Sequence, residues 1–168
     1  FQFGQEHGGV LIQLLITFGI VGLGEEAVKL LATFLITYHR QEFNEVVDGM
    51  VYAIATALGF AALENFMYIR TYGMAIAPFR ILVSSLAHAG FSGLAGYHLG
   101  RAKLAYGSIK KELVKGLMVA AFCHGLFNTL LMYQIVSFFG ILAFLLLVYG
   151  IVFIRFKKAI ALFPRHTT

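Results

Sequence analysis

Charge is what this sequence has least of. Asp, Glu, Lys and Arg make up 12% of its 168 residues, where a soluble domain carries about 25%, and that shortage excludes an ordinary water-facing surface. Tryptophan is absent, so no Trp belt marks a lipid interface, and the 17 Phe and 8 Tyr are expected to face lipid or the interface instead. Cysteine occurs once. Cys123 therefore excludes an intrachain disulfide, leaves the redox compartment unread, and is taken as a small apolar residue inside its segment. No repeat, low-complexity tract or Pro/Gly/Ser-rich linker divides the chain, which reads as one domain over residues 1–168. Also missing are an initiator Met and a charged region followed by a cleavage site: the chain opens FQFGQEHGG. The expectation is the body of a longer protein that lacks an N-terminal portion.

What the chain does have is long apolar runs. Hydrophobic residues reach 60% and the mean hydropathy is +0.82, and runs of about 20 apolar residues read as membrane-spanning helices. Five are expected, near 9–38, 46–69, 77–99, 112–134 and 138–156, giving an all-α polytopic bundle. The first would measure about 45 Å as one helix, more than a hydrocarbon core of about 30 Å, so it must tilt, protrude or break near Gly22 and Gly24.

The cations are unevenly shared between alternate ends of these spans. One side collects Arg40, Arg101, Lys103, Lys110, Lys111, Lys115, Arg155, Lys157, Lys158 and Arg165; the other has Arg70 and Arg80. The ten-to-two bias puts the first side in the cytoplasm, with the chain's beginning outside and its C-terminus inside a cell membrane. The net charge of +5 is then explained by topology and by anionic lipid, and needs no nucleic acid.

Ionisable residues inside a span cost about 2.5 to 3.5 kcal/mol each and are functional candidates by default. Four spans carry them or their polar neighbours: Glu25, Glu26 and Lys29 in GEEAVK; Glu64 and Asn65 in GFAALENFMY; His88 and Ser92 in SSLAHAGFSG; His124 and Asn128 in AAFCHGLFNT. The fifth carries none. Counted from the outer helix ends, Glu64 lies about 6 residues deep, His88 about 11 and His124 about 10, roughly 9 to 17 Å at the helical rise. One site in the outer half is geometrically permitted, with Glu25 and Glu26 nearer the middle. Residues four apart share a helix face, which pairs Glu25 with Lys29, His88 with Ser92 and His124 with Asn128. Lys29 can neutralise either glutamate; the pairing with Glu25 has the better orientation and leaves Glu26 the slightly favoured base.

These types suit hydrolysis. His88, His124 and Glu64 form a set seen at catalytic zinc sites, where three protein ligands leave a position for water and a further glutamate acts as base. A metal-free version, in which the same groups handle the water directly, stays open. Asn128 could stabilise an oxyanion. Taken singly, each His, Asn or Ser reads as well as glue between helices, and Gly96 and Gly100 read as a GxxxG packing motif. His7, His39, His98 and His166 read as structural, and Lys110, Lys111 and Lys115 as topology determinants. Rival readings of the whole are a proton-coupled transporter, for which inverted repeats are missing, and a non-catalytic scaffold.

The order EExxK, FxxxEN (Phe60, Glu64, Asn65), HxxxS and HxxxN on successive apolar segments resembles the PrsW family of intramembrane proteases, distantly similar to CAAX prenyl proteases and Abi proteins. The stretch DGMVYAIATALGFAALEN, opened by Asp48 and Gly49, is similar too, so the likeness spans about residues 22 to 130. CAAX proteases carry histidine where this chain has Glu64, which favours PrsW. The resemblance implies a transmembrane protease domain cutting a single-pass, membrane-anchored regulator, such as an anti-sigma factor, near the outer face. It implies Glu25, Glu26, Lys29 and Asn128 as catalytic residues, Glu64, His88 and His124 as holders of a zinc ion where one is used, and the lipid bilayer as partner. Oligomeric state is not read.

Overall fold

The structure, a computed structural model, describes residues 9–162, so Arg165, His7 and His166 lie outside the described residues. Among the described residues, five helices are long and apolar enough to cross a membrane: α1 Val10–Thr37, α2 Val46–Tyr72, α3 Met74–Lys103, α4 Ile109–Met132 and α5 Phe138–Ala161. No strand occurs among the described residues, and the all-α membrane bundle is as expected.

Helix ends overrun the apolar runs. α3 starts earlier than expected, with a 3-10 turn at Met74–Ile76 and a π-helical stretch at Arg80–Ser84, and continues to Lys103. α4 begins at Ile109, so Lys110 and Lys111 belong to its first turn. Backbone hydrogen bonding continues wherever φ and ψ allow, whereas hydropathy marks only the part in hydrocarbon.

The expected irregularity of α1 is a π-helical segment, Ile16–Gly22. Gly22 rather than Gly24 is the tight position: a Cβ there would meet Ala121 O at 2.9 Å and Gly125 N at 3.2 Å, while at Gly24 it would meet nothing within 4 Å. The wide turn thus presses the α1 backbone onto α4 immediately before GEEAVK.

α3 is the hub. From Ala87 to Tyr97 every residue is buried, the pattern of a helix surrounded on all sides. Its Gly96 and Gly100 meet Gly49 and Val46 of α2 backbone to backbone, so the GxxxG expectation holds: a Cβ on Gly96 would strike Gly49 O and the Ala53 side chain. Val83, Ala87, Phe91 and Leu94 of α3 pack with Ala120 and Phe127 of α4 and Ile141, Leu145 and Val148 of α5. Gly73, at φ 88°, turns α2 into α3, a conformation glycine adopts without strain. At the other end Glu45 and Asp48 form a capping box, with Asp48 Oδ2 accepting from Glu45 N at 2.7 Å.

Candidate active site

GEEAVK forms part of a regular helical stretch, Leu23–Thr37, directly after the π-helical turn. Consecutive residues lie about 100° apart on a helix, so Glu25 and Glu26 leave it in different directions. Glu26 is 1% exposed and points at α3 and α4, whereas the Glu25 side chain is 22% exposed.

Glu26 is fully engaged. Its Oε1 pairs with Lys29 Nζ and lies 2.9 Å from His124 Nδ1, and its Oε2 accepts from Ser92 Oγ at 2.8 Å. Three helices are thereby tied through one carboxylate. Lys29, 2% exposed, also reaches His88 Nδ1 at 2.8 Å and sits 4.9 Å from the Phe60 ring centre. The expected Glu25–Lys29 pairing is therefore replaced by Glu26–Lys29. The reason is direction: Lys29 extends toward His88, on the side of the helix that Glu26 shares, and the buried ammonium takes the buried carboxylate as its counter-charge.

A lysine ammonium only donates. His88 Nδ1 is consequently an acceptor, and the ring proton belongs on Nε2, which lies 3.0 Å from Glu64 Oε2. Glu64 in turn has Arg80 Nη2 at 2.7 Å, an ion pair lying off the line of a hydrogen bond. Arg80 Nε donates to Asn65 Oδ1 at 3.2 Å, Asn65 Nδ2 donates to Ser85 Oγ at 3.0 Å, and the Arg80 guanidinium lies 3.9 Å from the Tyr68 ring centre.

A single polar chain therefore runs from Arg80 through Glu64, His88, Lys29 and Glu26 to His124. The other nitrogen of His124, Nε2, faces Glu25 Oε2 at 3.8 Å. That oxygen is buried and has no hydrogen-bond partner among the described residues. The two imidazoles stand edge to face with centres 5.0 Å apart.

Glu25, His88 and His124 offer ligand atoms that all lie within 4.8 Å of one another. The donor types suit a divalent cation such as zinc. So does the orphaned Glu25 oxygen, and so does the Glu26 carboxylate on His124 Nδ1, which leaves Nε2 as the nitrogen facing Glu25, the arrangement that orients metal-binding histidines. His88 fits on the condition that the nitrogen it offers is released by Glu64 or Lys29. The geometry differs from the expected Glu64, His88 and His124 set. Glu64 is outside this donor cluster, because Arg80 and His88 hold its Oε2, and Glu25 stands in its place.

Asn128 lies on α4 one turn from His124, half-buried and with no hydrogen bond among the described residues. His98, further along α3, has its Nδ1 2.7 Å from Glu112 Oε2. Arg80 was the residue that counting charges assigned to the outer surface. Its position three residues inside the span expected at 77–99 was the available signal that it belongs with the other intramembrane ionisable groups.

Comparison with known proteins bears on this arrangement. A family model described as "PrsW family intramembrane metalloprotease" matches residues 1–154. "Protease PrsW" of Oceanobacillus iheyensis is 35% identical over 140 residues, covering 83% of this chain and 65% of that protein. Its namesake in Halalkalibacterium halodurans is 32% identical over 147 residues, covering 87% and 68%, and the Geobacillus kaustophilus protein 36% over 108 residues, covering 64% and 48%. The chain thus spans about half to two thirds of the length of these relatives. No solved structure matches it. With the family model covering nearly the whole chain, and with Glu26, Lys29, Glu64, His88, Ser92 and His124 of the four motifs joined in one polar network, the chain belongs to the PrsW family of intramembrane metalloproteases.

Proposed function

We propose that this chain is an intramembrane endopeptidase that cuts a single-pass, membrane-anchored regulatory protein, of the anti-sigma-factor kind, near the outer face of the cell membrane, with its own C-terminus in the cytoplasm. The observation that carries the reading is the gathering of Glu25, His88 and His124 from three helices around a buried carboxylate oxygen that has no hydrogen-bond partner among the described residues. Groups that merely glue helices together satisfy one another; here one acceptor is left over, which is what a site that must receive a water or a substrate requires.

Glu25, His88 and His124 would hold the metal, for which zinc fits the donor types; when bound, it supplies Lewis acidity toward a water and the scissile carbonyl. The protein's own groups divide the remaining work. Glu25 is the carboxylate that the reacting water meets, and in a metal-free version its Oε2 takes the water's proton directly. Glu26 keeps His124 turned so that Nε2 faces Glu25, and Lys29 balances the Glu26 charge while fixing His88 from its Nδ1 side. Glu64, steadied by Arg80, holds the opposite edge of the His88 ring. The Asn128 amide, one turn from His124 on α4, donates to the developing oxyanion, a contribution of about 3 kcal/mol in comparable sites. Phe60 and Phe91 wall the histidines, with ring centres 5.9 Å from His88 and 5.6 Å from His124, and keep the polar cluster small.

The test is cleavage of a single-pass membrane substrate by purified protein in detergent. Activity that disappears in His88→Ala and His124→Ala, with the helical content kept, is the expected result. Full activity in both would end this assignment.

A further inference from the structure

The cation-rich end of the bundle carries a second feature, remote from the Glu/His cluster. There α3, α4 and α5 open a cleft of about 510 Å³ whose walls include Arg101, Glu112, Lys115, Arg155 and Lys158, with Tyr97 among them. This is within the range of small-ligand sites, about 300 to 1,000 Å³.

Its charge is lopsided: four cations from three helices face one carboxylate. That carboxylate is already used, for Glu112 Oε2 lies 2.7 Å from His98 Nδ1 and 3.1 Å from Arg101 Nε. Lys115 Nζ reaches Glu112 Oε1 only at 3.9 Å. Arg155 and Lys158, three apart on one face of α5, pair with no carboxylate among the described residues. The cleft is also built rather than being a loose fringe of lysines. The guanidiniums of Arg155 and Arg101 lie 5.4 Å and 5.8 Å from the Tyr97 ring centre. The 104–108 loop is fastened across to α5, with Arg101 Nη2 donating to Tyr106 O at 2.8 Å and the Tyr106 hydroxyl donating to Leu162 O at 2.7 Å.

Like charges gathered in a folded cleft repel one another until an anion enters. Two guanidiniums beside two ammonium groups suit phosphate oxygens, which take charge-assisted hydrogen bonds from both. The stripe of α5 that leads from Lys158 into the span, at helical spacings of three and four, is apolar and exposed at Ile154, Ile151 and Leu147, so a bound headgroup's acyl chains have a surface to follow. We infer that this cleft binds a phosphate group supplied by the headgroup of an anionic phospholipid.

Native mass spectrometry of the whole chain in detergent tests this, with phosphatidylglycerol and phosphatidylcholine titrated separately. The expected result is one phosphatidylglycerol retained per chain at least tenfold more tightly than phosphatidylcholine. Arg155→Gln/Lys158→Gln should abolish that preference. Lys110→Gln/Lys111→Gln, which removes equal charge from exposed positions on α4 outside the cleft, should keep it. Lys158→Gln alone, at an exposed position, should weaken the preference several-fold and serves should the double variant fold poorly. Equal losses in the two double variants, or no preference in the parent chain, would overturn the site. Displacement by inorganic phosphate at concentrations equal to the lipid would overturn the lipid source and reassign the cleft to a soluble phosphate.

Discussion

His124 Nδ1 lies 2.9 Å from Glu26 Oε1, and this contact between α4 and α1 separates the two adjacent glutamates into different tasks. Glu26 is spent on His124, Lys29 and Ser92, all buried. Glu25, one residue earlier, keeps an oxygen that has no hydrogen-bond partner among the described residues, 3.8 Å from His124 Nε2.

The first prediction follows directly. Glu25→Gln should abolish cleavage while changing stability little, because its Oε2 has no bond to lose. Glu26→Gln should also abolish cleavage but destabilise by about 3 to 5 kcal/mol, since it strands a buried lysine without its counter-charge. Cleavage assays beside chemical unfolding of both variants distinguish them; equal stability losses would contradict the division of roles.

Metal content is the second. Elemental analysis of protein purified without chelator should find about one zinc per chain, lost in His124→Ala and reduced in Glu25→Gln, and chelation should stop cleavage until zinc is returned. Activity that survives chelation in metal-free protein would select the version in which Glu25 acts on water directly.

Arg80 provides the third. It touches Glu64 and Asn65 rather than the Glu25/His88/His124 cluster, so it is a positioning residue. Arg80→Gln should lower kcat about 10- to 100-fold, the usual effect of losing an outer partner, and should weaken zinc retention with the unfolding midpoint kept. Arg80→Lys should restore part of both. A variant with normal kcat and zinc content would confine Arg80 to packing.

The α2–α3 contact supplies a fourth. At Gly96 a new Cβ meets the Gly49 carbonyl and lies 2.8 Å from Met50 Cα, backbone that cannot swing away. Gly96→Ala should destabilise by about 1 to 3 kcal/mol. Gly59→Ala, where a Cβ meets nothing within 4 Å, should be neutral or stabilise by up to about 1 kcal/mol through helix propensity. Unfolding titrations of the two variants give the comparison.

Topology is the fifth. With Cys123 replaced by Ala, a membrane-impermeant thiol reagent applied to intact cells should label Ser137→Cys, in the turn before α5, and spare Ser108→Cys, in the turn before α4. The reverse pattern would invert the proposed orientation.

How much of this was legible in the chain can be argued from particular residues. The five spans came from runs of apolar residues, because a helix in hydrocarbon must be apolar along its length, and that requirement leaves a one-dimensional mark. The candidates Glu25, Glu26, Lys29, Glu64, His88 and His124 were visible for the converse reason: each is costly where it stands. Gly49, Gly96 and Gly100 likewise show as small residues at helical spacing.

Pairing left no such mark. That Lys29 belongs to Glu26, that Arg80 holds Glu64, and that Glu25 rather than Glu64 offers an oxygen within 4.8 Å of both histidines' ligand nitrogens depend on how α1, α2, α3 and α4 are rotated about their axes. Those rotations are set by contacts far apart in the chain, such as Gly22 against Ala121 and Gly125, and Gly96 against Gly49. The sequence by itself determined which groups must leave the lipid and face inward, since the cost of burying an unpaired charge is local to each residue. Only the tertiary structure decided which group meets which, because a bond between side chains 59 or 98 positions apart, as in Lys29 with His88 and Glu26 with His124, exists only after the helices have packed.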